Sequence, residues 1–129
     1  MASVFTKIIA GELPSYKLFE DEETIAILTI EPIQLGHALV IPKKEINHWF
    51  DVPDALLGKI QTNASRLAKA IQAATGAPRI LTTAVGFEVP HYHLHLIPAW
   101  DPSDLHFSKA KRRSEEEMKL IQKKILENF

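Results

Sequence analysis

The sequence predicts an α+β fold, a five-stranded antiparallel sheet with flanking helices. Three observations point to it. Five short segments rich in β-branched and apolar residues are bounded by Pro, Gly or acidic turns. Three-to-four apolar spacing runs unbroken through one long segment between the third and fourth of them. Shorter helical patterns stand near both ends of the chain, which gives the order helix, three strands, helix, two strands, helix.

Val4 to Ala10 reads as a short helix in which Phe5, Ile8 and Ile9 share a face, closed by Gly11 and then Pro14. Tyr16 to Glu20 and Thr24 to Ile30 flank the acidic turn Asp21-Glu22-Glu23 and read as an antiparallel pair, ended by Pro32. His37 to Ile41, opened by Gly36 and stopped by Pro42, is too short for a typical helix and reads as a central strand. From Pro53 to Ala74 the residues Leu56, Leu57, Ile60, Ala64, Leu67, Ala68 and Ile71 mark the main amphipathic helix. Pro53 suits its first turn and Gly76 its stop. Arg79 to Val85 resumes β character until Gly86, and His91 to Ile97 alternates strictly before Pro98. After an irregular stretch from Trp100 to Arg113, Ser114 and Glu117 have capping-box spacing ahead of Met118, Ile121 and Ile125, which predicts a C-terminal helix.

At 129 residues the chain fits one domain over 1–129, with its core over about residues 3–100 and a helical extension over 101–129. Fifteen Lys and Arg against sixteen Asp and Glu leave a net charge of -1, which provides no broad basic surface for a nucleic-acid backbone. The absence of cysteine excludes disulfides and thiolate metal sites and is compatible with the cytoplasm, the expected location. No stretch approaches the ~20 apolar residues of a membrane span, and the N-terminus lacks the pattern of an export signal.

On a strand, His91, His93 and His95 would form a row on one face while Tyr92, Leu94 and Leu96 face the other way. Three adjacent imidazoles resist joint protonation and burial disfavours the charged form further, so at least one is expected to be neutral near pH 7 and competent as nucleophile or base. Adjacent pairs in the row could chelate an ion. At ~6.6 Å per two residues, however, the outer pair would lie roughly 13 Å apart, and a ligand nitrogen must lie ~2 Å from zinc, so one ion can hardly use all three. His93, with a histidine on each side, has neighbours to orient it and to contact the group it attacks, and is the expected nucleophile.

Three ordered blocks carry a resemblance: Phe5 to Ser15, Pro32 to Lys43, and Gly86-Phe87-Glu88-Val89-Pro90-His91-Tyr92-His93-Leu94-His95-Leu96-Ile97-Pro98. With them the chain resembles the histidine triad family of nucleotide hydrolases and transferases, in its bacterial branch. The resemblance implies a two-fold homodimer of joined sheets, a purine nucleotide as ligand, and no metal or other cofactor; the charge balance and hydropathy already leave no nucleic-acid or membrane partner expected. It also implies that His93 attacks the α-phosphate of a phosphoramidate, an acyl or lysyl adenylate or a dinucleoside polyphosphate. Water would then open the nucleotidyl-histidine. By position, His91 would fix the tautomer and orientation of His93, His95 would bond phosphate or bridging atoms, and His37 would support the row. Phe5, Ile8, Ile27, Leu28 and Ile30 would wall the base pocket, and Thr29 stands where an acidic residue or Asn often takes the ribose hydroxyls. Gly86, Glu88 and Val89 are further positions expected to border the nucleotide.

The departures from the family pattern are Phe87 in place of a frequent Gln, Glu88 in place of a phosphate-binding Ser, and Leu81 to Val85 in place of an Asn-rich loop. Thr82 and Thr83 are the substitutes that this last segment offers. Zinc-holding relatives carry Cys-x-x-Cys and a histidine where this chain has Ser3, Thr6 and Glu45, so no structural zinc is expected. His48 and His106 are expected to be surface or packing residues. Two other readings stay open: a nucleotide-binding dimeric scaffold with little catalysis, motivated by Phe87 and Glu88, and a metal-dependent oxidoreductase or hydrolase built on paired histidines.

Overall fold

The computed structural model describes residues 2–129. Its main elements are α1 (Val4–Ile9), β1 (Tyr16–Glu20), β2 (Thr24–Leu28), β3 (Ala38–Pro42), α2 (Asp54–Thr75), β4 (Arg79–Thr83), β5 (Leu94–Ala99) and α3 (Glu115–Glu127). The strands form one antiparallel sheet in the order β1-β2-β3-β5-β4, the architecture expected from the pattern.

Each face of the sheet has its own apolar layer. Leu18, Ala26, Leu28, Val40, Leu94 and Leu96 pack against Ile60, Leu67 and Ile71 of α2 and Met118, Ile121 and Ile125 of α3. On the opposite face Ile25, Ile27, Leu39 and Ile41 pack with Phe5 of α1, joined by Ile8, Ile9 and Val89. The period-2 alternation of β2 and β3 therefore feeds two layers, which is why both strands are buried along their whole length.

Local signals end the helices where chemistry requires. Gly76 takes φ +75° and its N–H closes α2 on the Gln72 carbonyl at 2.8 Å, a left-handed cap that glycine adopts without strain. Ser114 and Glu117 form both halves of the capping box of α3. Gly36, at φ +101°, lets the turn before β3 close on α2 and β5. A Cβ there would meet Thr75 Cγ2 at 3.0 Å and Pro98 Cγ at 3.4 Å.

Several boundaries differ from expectation, the last strand most of all. β5 begins at Leu94 instead of His91, because the Tyr92 N–H turns to the Ile46 carbonyl at 2.7 Å rather than pairing with β3. It also runs through Pro98 to Ala99. Leu96 is the last residue of β5 to pair with β3, and beyond it the missing Pro98 N–H faces an open side of the strand and costs no ladder bond. β2 stops at Leu28 and β4 at Thr83, short of the expected Ile30 and Val85, and α1 closes at Ile9. The irregular stretch after β5 contains two 3₁₀ turns, Pro102–Leu105 and Phe107–Lys109.

Candidate active site

Only His95 of the three alternating histidines lies within β5; His91 and His93 sit on the extended approach to it. The expected separation of faces holds all the same. Tyr92, Leu94 and Leu96 enter the layer under α2, while the three imidazoles gather on the α1 side, with Phe5 edge-on to His93 at 4.7 Å and to His91 at 5.7 Å between ring centroids. All three are buried, together with His37 at the entry to β3.

The hydrogen-bond partners fix where the protons sit. His93 Nδ1 lies 2.6 Å from the His91 carbonyl, which can only accept, so Nδ1 carries the proton and Nε2 keeps its lone pair. It is the backbone of His91 that holds His93, and the His91 ring is turned elsewhere. A second chain runs through the other pair. The Ile33 N–H donates to His37 Nδ1 at 3.1 Å, so the proton of a neutral His37 is on Nε2 and donates to His95 Nδ1 at 2.9 Å. The remaining proton of His95 is then on its own Nε2. One backbone carbonyl and one backbone amide thus prepare a bare nitrogen on His93 and a donor on His95, in rings whose centroids are 4.9 Å apart.

Burial keeps these rings uncharged. It pushes His37 down to about 3 and His95 down to about 4, in each case aided by the neighbouring imidazoles. His93 is also lowered by burial, partly offset by its bond to the His91 carbonyl. A neutral Nε2 is the form that attacks phosphorus.

Three of these histidines, His37, His93 and His95, border a cleft of about 1120 Å³. Phe5, Ile8, Ile27, Leu28, Thr29, Ile30, Glu88 and Val89 line it together with His37, His93 and His95. Leu28 does so while also belonging to the layer under α2. Thr82 and Thr83 are not brought there: they lie on β4, paired with Leu96 and His95. Gly86 and the 93 % exposed Phe87 border a second, smaller hollow on the other side of His93, with His48 and Trp49. His48, stacked on Phe50 at 4.8 Å, is exposed as expected.

The segment after β5 supplies what sequence reasoning missed. The Phe107 ring lies 4.9 Å from that of His95 and 6.2 Å from that of His37, and closes this end of the cleft. It is held there by Asp104, a buried carboxylate that accepts from Lys109 Nζ at 2.6 Å, Gln34 Nε2 at 2.9 Å and the Trp100 N–H at 2.9 Å. These bonds, led by the one from Lys109, hold Asp104 well below the usual carboxylate range. Its one local signature is the capping box with Asp101. Among the described residues no three His, Asp or Glu side chains group as a metal cage, and no helix is long and apolar enough to cross a membrane.

The HIT domain family model matches residues 10–101. An adenosine 5'-monophosphoramidase of Saccharomyces cerevisiae is 42% identical over 101 residues, which cover 78% of this chain and 64% of that protein. An adenylylsulfatase of Arabidopsis thaliana is 34% identical over 115 residues, covering 85% of this chain and 58% of its own. The chain therefore spans about three-fifths of the length of these two relatives. Among solved structures, a hypothetical histidine triad nucleotide-binding protein from Sulfolobus tokodaii superposes with a TM-score of 0.85 at 32% identity, over 96% of this chain and 89% of that one.

Proposed function

The chain belongs to the HIT domain family, and from that premise we propose that it is a nucleotide hydrolase or transferase acting at the α-phosphate of a purine nucleotide. The observation that carries this reading is the bond from His93 Nδ1 to the His91 carbonyl, which leaves Nε2 as an uncharged nucleophile at the edge of the cleft. His93 Nε2 attacks phosphorus as the bond to the leaving group breaks. The leaving group departs with the electron pair and takes a proton from water. His95 Nε2–H donates to a phosphate or bridging oxygen as charge grows there, and water then opens the P–N bond to release a nucleoside monophosphate. No step calls for a metal ion or other cofactor.

Phe5, Ile8, Ile27, Ile30 and Val89 give the base an apolar slot, with Leu28 behind it, and the Thr29 hydroxyl stands at its edge for the ribose. The relatives' names, a monophosphoramidase and an adenylylsulfatase, support a phosphoramidate or a sulfate anhydride of adenylate as substrate, with acyl or lysyl adenylates and dinucleoside polyphosphates the other options. Glu88, bordering the cleft, disfavours leaving groups that carry several negative charges. A homodimer belongs to the same proposal: β4 is an edge of the sheet, and Trp49, Phe50, Val85 and Phe87 expose apolar surface that a second copy could cover. Sedimentation at micromolar concentration tests this, and a monomer would remove it.

The decisive test of function is turnover of adenosine 5'-phosphoramidate by His93→Ala and His93→Asn. Both should lose at least about 10⁴-fold in kcat while AMP still binds, as expected for removal of a nucleophile. Unchanged turnover removes the assignment. A wild-type protein that binds AMP without releasing it from any such substrate is instead the nucleotide-binding scaffold.

A further inference from the structure

The first turn of α1 does more than wall the cleft with Phe5. Ser3 caps the helix by accepting from the Thr6 N–H at 3.1 Å, and the same oxygen lies 2.7 Å from His91 Nδ1. Glu45, 42 residues along the chain, accepts from the Ser3 N–H at 2.7 Å and from the Thr6 hydroxyl at 2.8 Å. Thr6 thus spends its hydroxyl proton on a carboxylate. The Ser3 proton is left with two acceptors, Thr6 Oγ1 at 3.3 Å and His91 Nδ1 at 2.7 Å, and the shorter contact is to the ring. On the far side His91 Nε2 donates to the Pro42 carbonyl at 2.7 Å. That carbonyl points toward β5 at a level where β5 has not yet begun, so the ring stands in for the missing strand partner. With its own N–H on the Val89 carbonyl at 2.8 Å, His91 is held at every polar atom, and the last of these, its carbonyl, grips His93.

We propose that Ser3, held in place by Glu45, is a positioning residue for His93: its hydroxyl donates to His91 Nδ1, fixes that ring as the Nε2–H tautomer on Pro42, and so aims the His91 carbonyl at His93 Nδ1. The inference rests on His93 as nucleophile for its effect on rate, but the tautomers it requires exist without substrate. An unaimed carbonyl lets the His93 ring turn, and a displacement of about 1 Å at a reacting atom can cost on the order of 10²-fold.

Three substitutions separate this role from simple capping of α1. Ser3→Thr keeps both cap and donor; Ser3→Asp keeps the cap but can only accept; Ser3→Ala loses both. The proposal expects kcat close to wild type for Ser3→Thr, and roughly ten- to hundredfold lower for both Ser3→Asp and Ser3→Ala, with KM within about twofold. Glu45→Ala should fall between. Imidazole ¹⁵N NMR of the full chain without nucleotide should show His91 protonated on Nε2 alone in wild type and Ser3→Thr, and altered in Ser3→Asp. If Ser3→Asp turns over normally while Ser3→Ala does not, Ser3 is a helix cap and the proposal is overturned. It is equally overturned if wild-type His91 proves to be protonated on Nδ1. Failure of the nucleophile assignment would look different: the tautomers would be as stated, but no adduct would form on His93.

Discussion

Residues 91, 93 and 95 and residues 92, 94 and 96 share one stretch of backbone, yet they obey different rules. Tyr92, Leu94 and Leu96 fill volume under α2, where their partners are apolar and any side chain of similar size would serve. The histidines opposite are just as buried, but each ring nitrogen with a partner faces one donor or acceptor that decides where a proton sits. The packed face is specified by shape and the histidine face by proton direction. Substitution on the first should therefore cost stability, and on the second activity.

The sharpest way to break this distinction is to cross it with adjacent residues. His95→Ala should lower kcat by about 10²- to 10³-fold, the range for losing one positioned donor to developing charge. Its stability should fall by less than that of a core truncation, because the lost ring borders the open cleft and the main cost is the His37 N–H left without its acceptor. Leu96→Ala should do the reverse: about 3 kcal/mol of stability lost to the cavity at a fully buried position, with kcat per folded molecule within about twofold. Denaturant titration and active-site-normalised kinetics on the two variants measure both quantities. Equal losses on both axes in either variant would dissolve the contrast.

Acidification loads the histidine face first, before the unfolded-state protonation of Asp104 and the other lowered carboxylates adds to the loss at lower pH. His37 and His95 have folded-state pKa values of about 3 and about 4, below the ordinary 6.5, so beneath 6.5 the unfolded chain binds protons that the folded chain cannot. Stability should fall by up to about 1.4 kcal/mol per ring for each pH unit below 6.5, down to about 4 for His95 and about 3 for His37. His37→Gln should flatten that slope by its share; an unchanged slope would mean that the rings are not buried as neutral groups. The smallest effect belongs to the ribose edge. Thr29→Val keeps the shape but removes the hydroxyl, and should weaken AMP binding by about 1 kcal/mol without altering kcat, measured by calorimetry.

The sequence made legible what depends on period and on local caps. Alternation gave the faces of the last strand and the grouping of His91, His93 and His95, and three-to-four spacing gave α2 to within a residue at each end. Gly76 and the Ser114-Glu117 pair marked helix ends because their chemistry is local. The features that escaped are tertiary. Alternation says on which side His91 points, but not that its ring reaches Ser3 and Pro42 while its backbone serves His93. Asp104 meets Gln34 across 70 residues, and Ser3 meets Glu45 across 42, distances at which a single polar residue leaves no pattern. Position in a family block makes Thr82 and Thr83 candidates, whereas the pairing of β4 along the outer side of β5 keeps them off the lining of the cleft.

The mechanism turns on His93 Nε2 being the atom that meets phosphorus. Rapid acid-free quenching of wild-type protein with a ³²P-labelled adenosine 5'-phosphoramidate, followed by peptide mapping, tests it directly. The predicted result is one adenylyl group on His93, bonded through Nε2, forming and decaying at rates that match turnover, and absent from His93→Ala. Steady AMP release with no label on His93, or label on His95 or His91 instead, would contradict it.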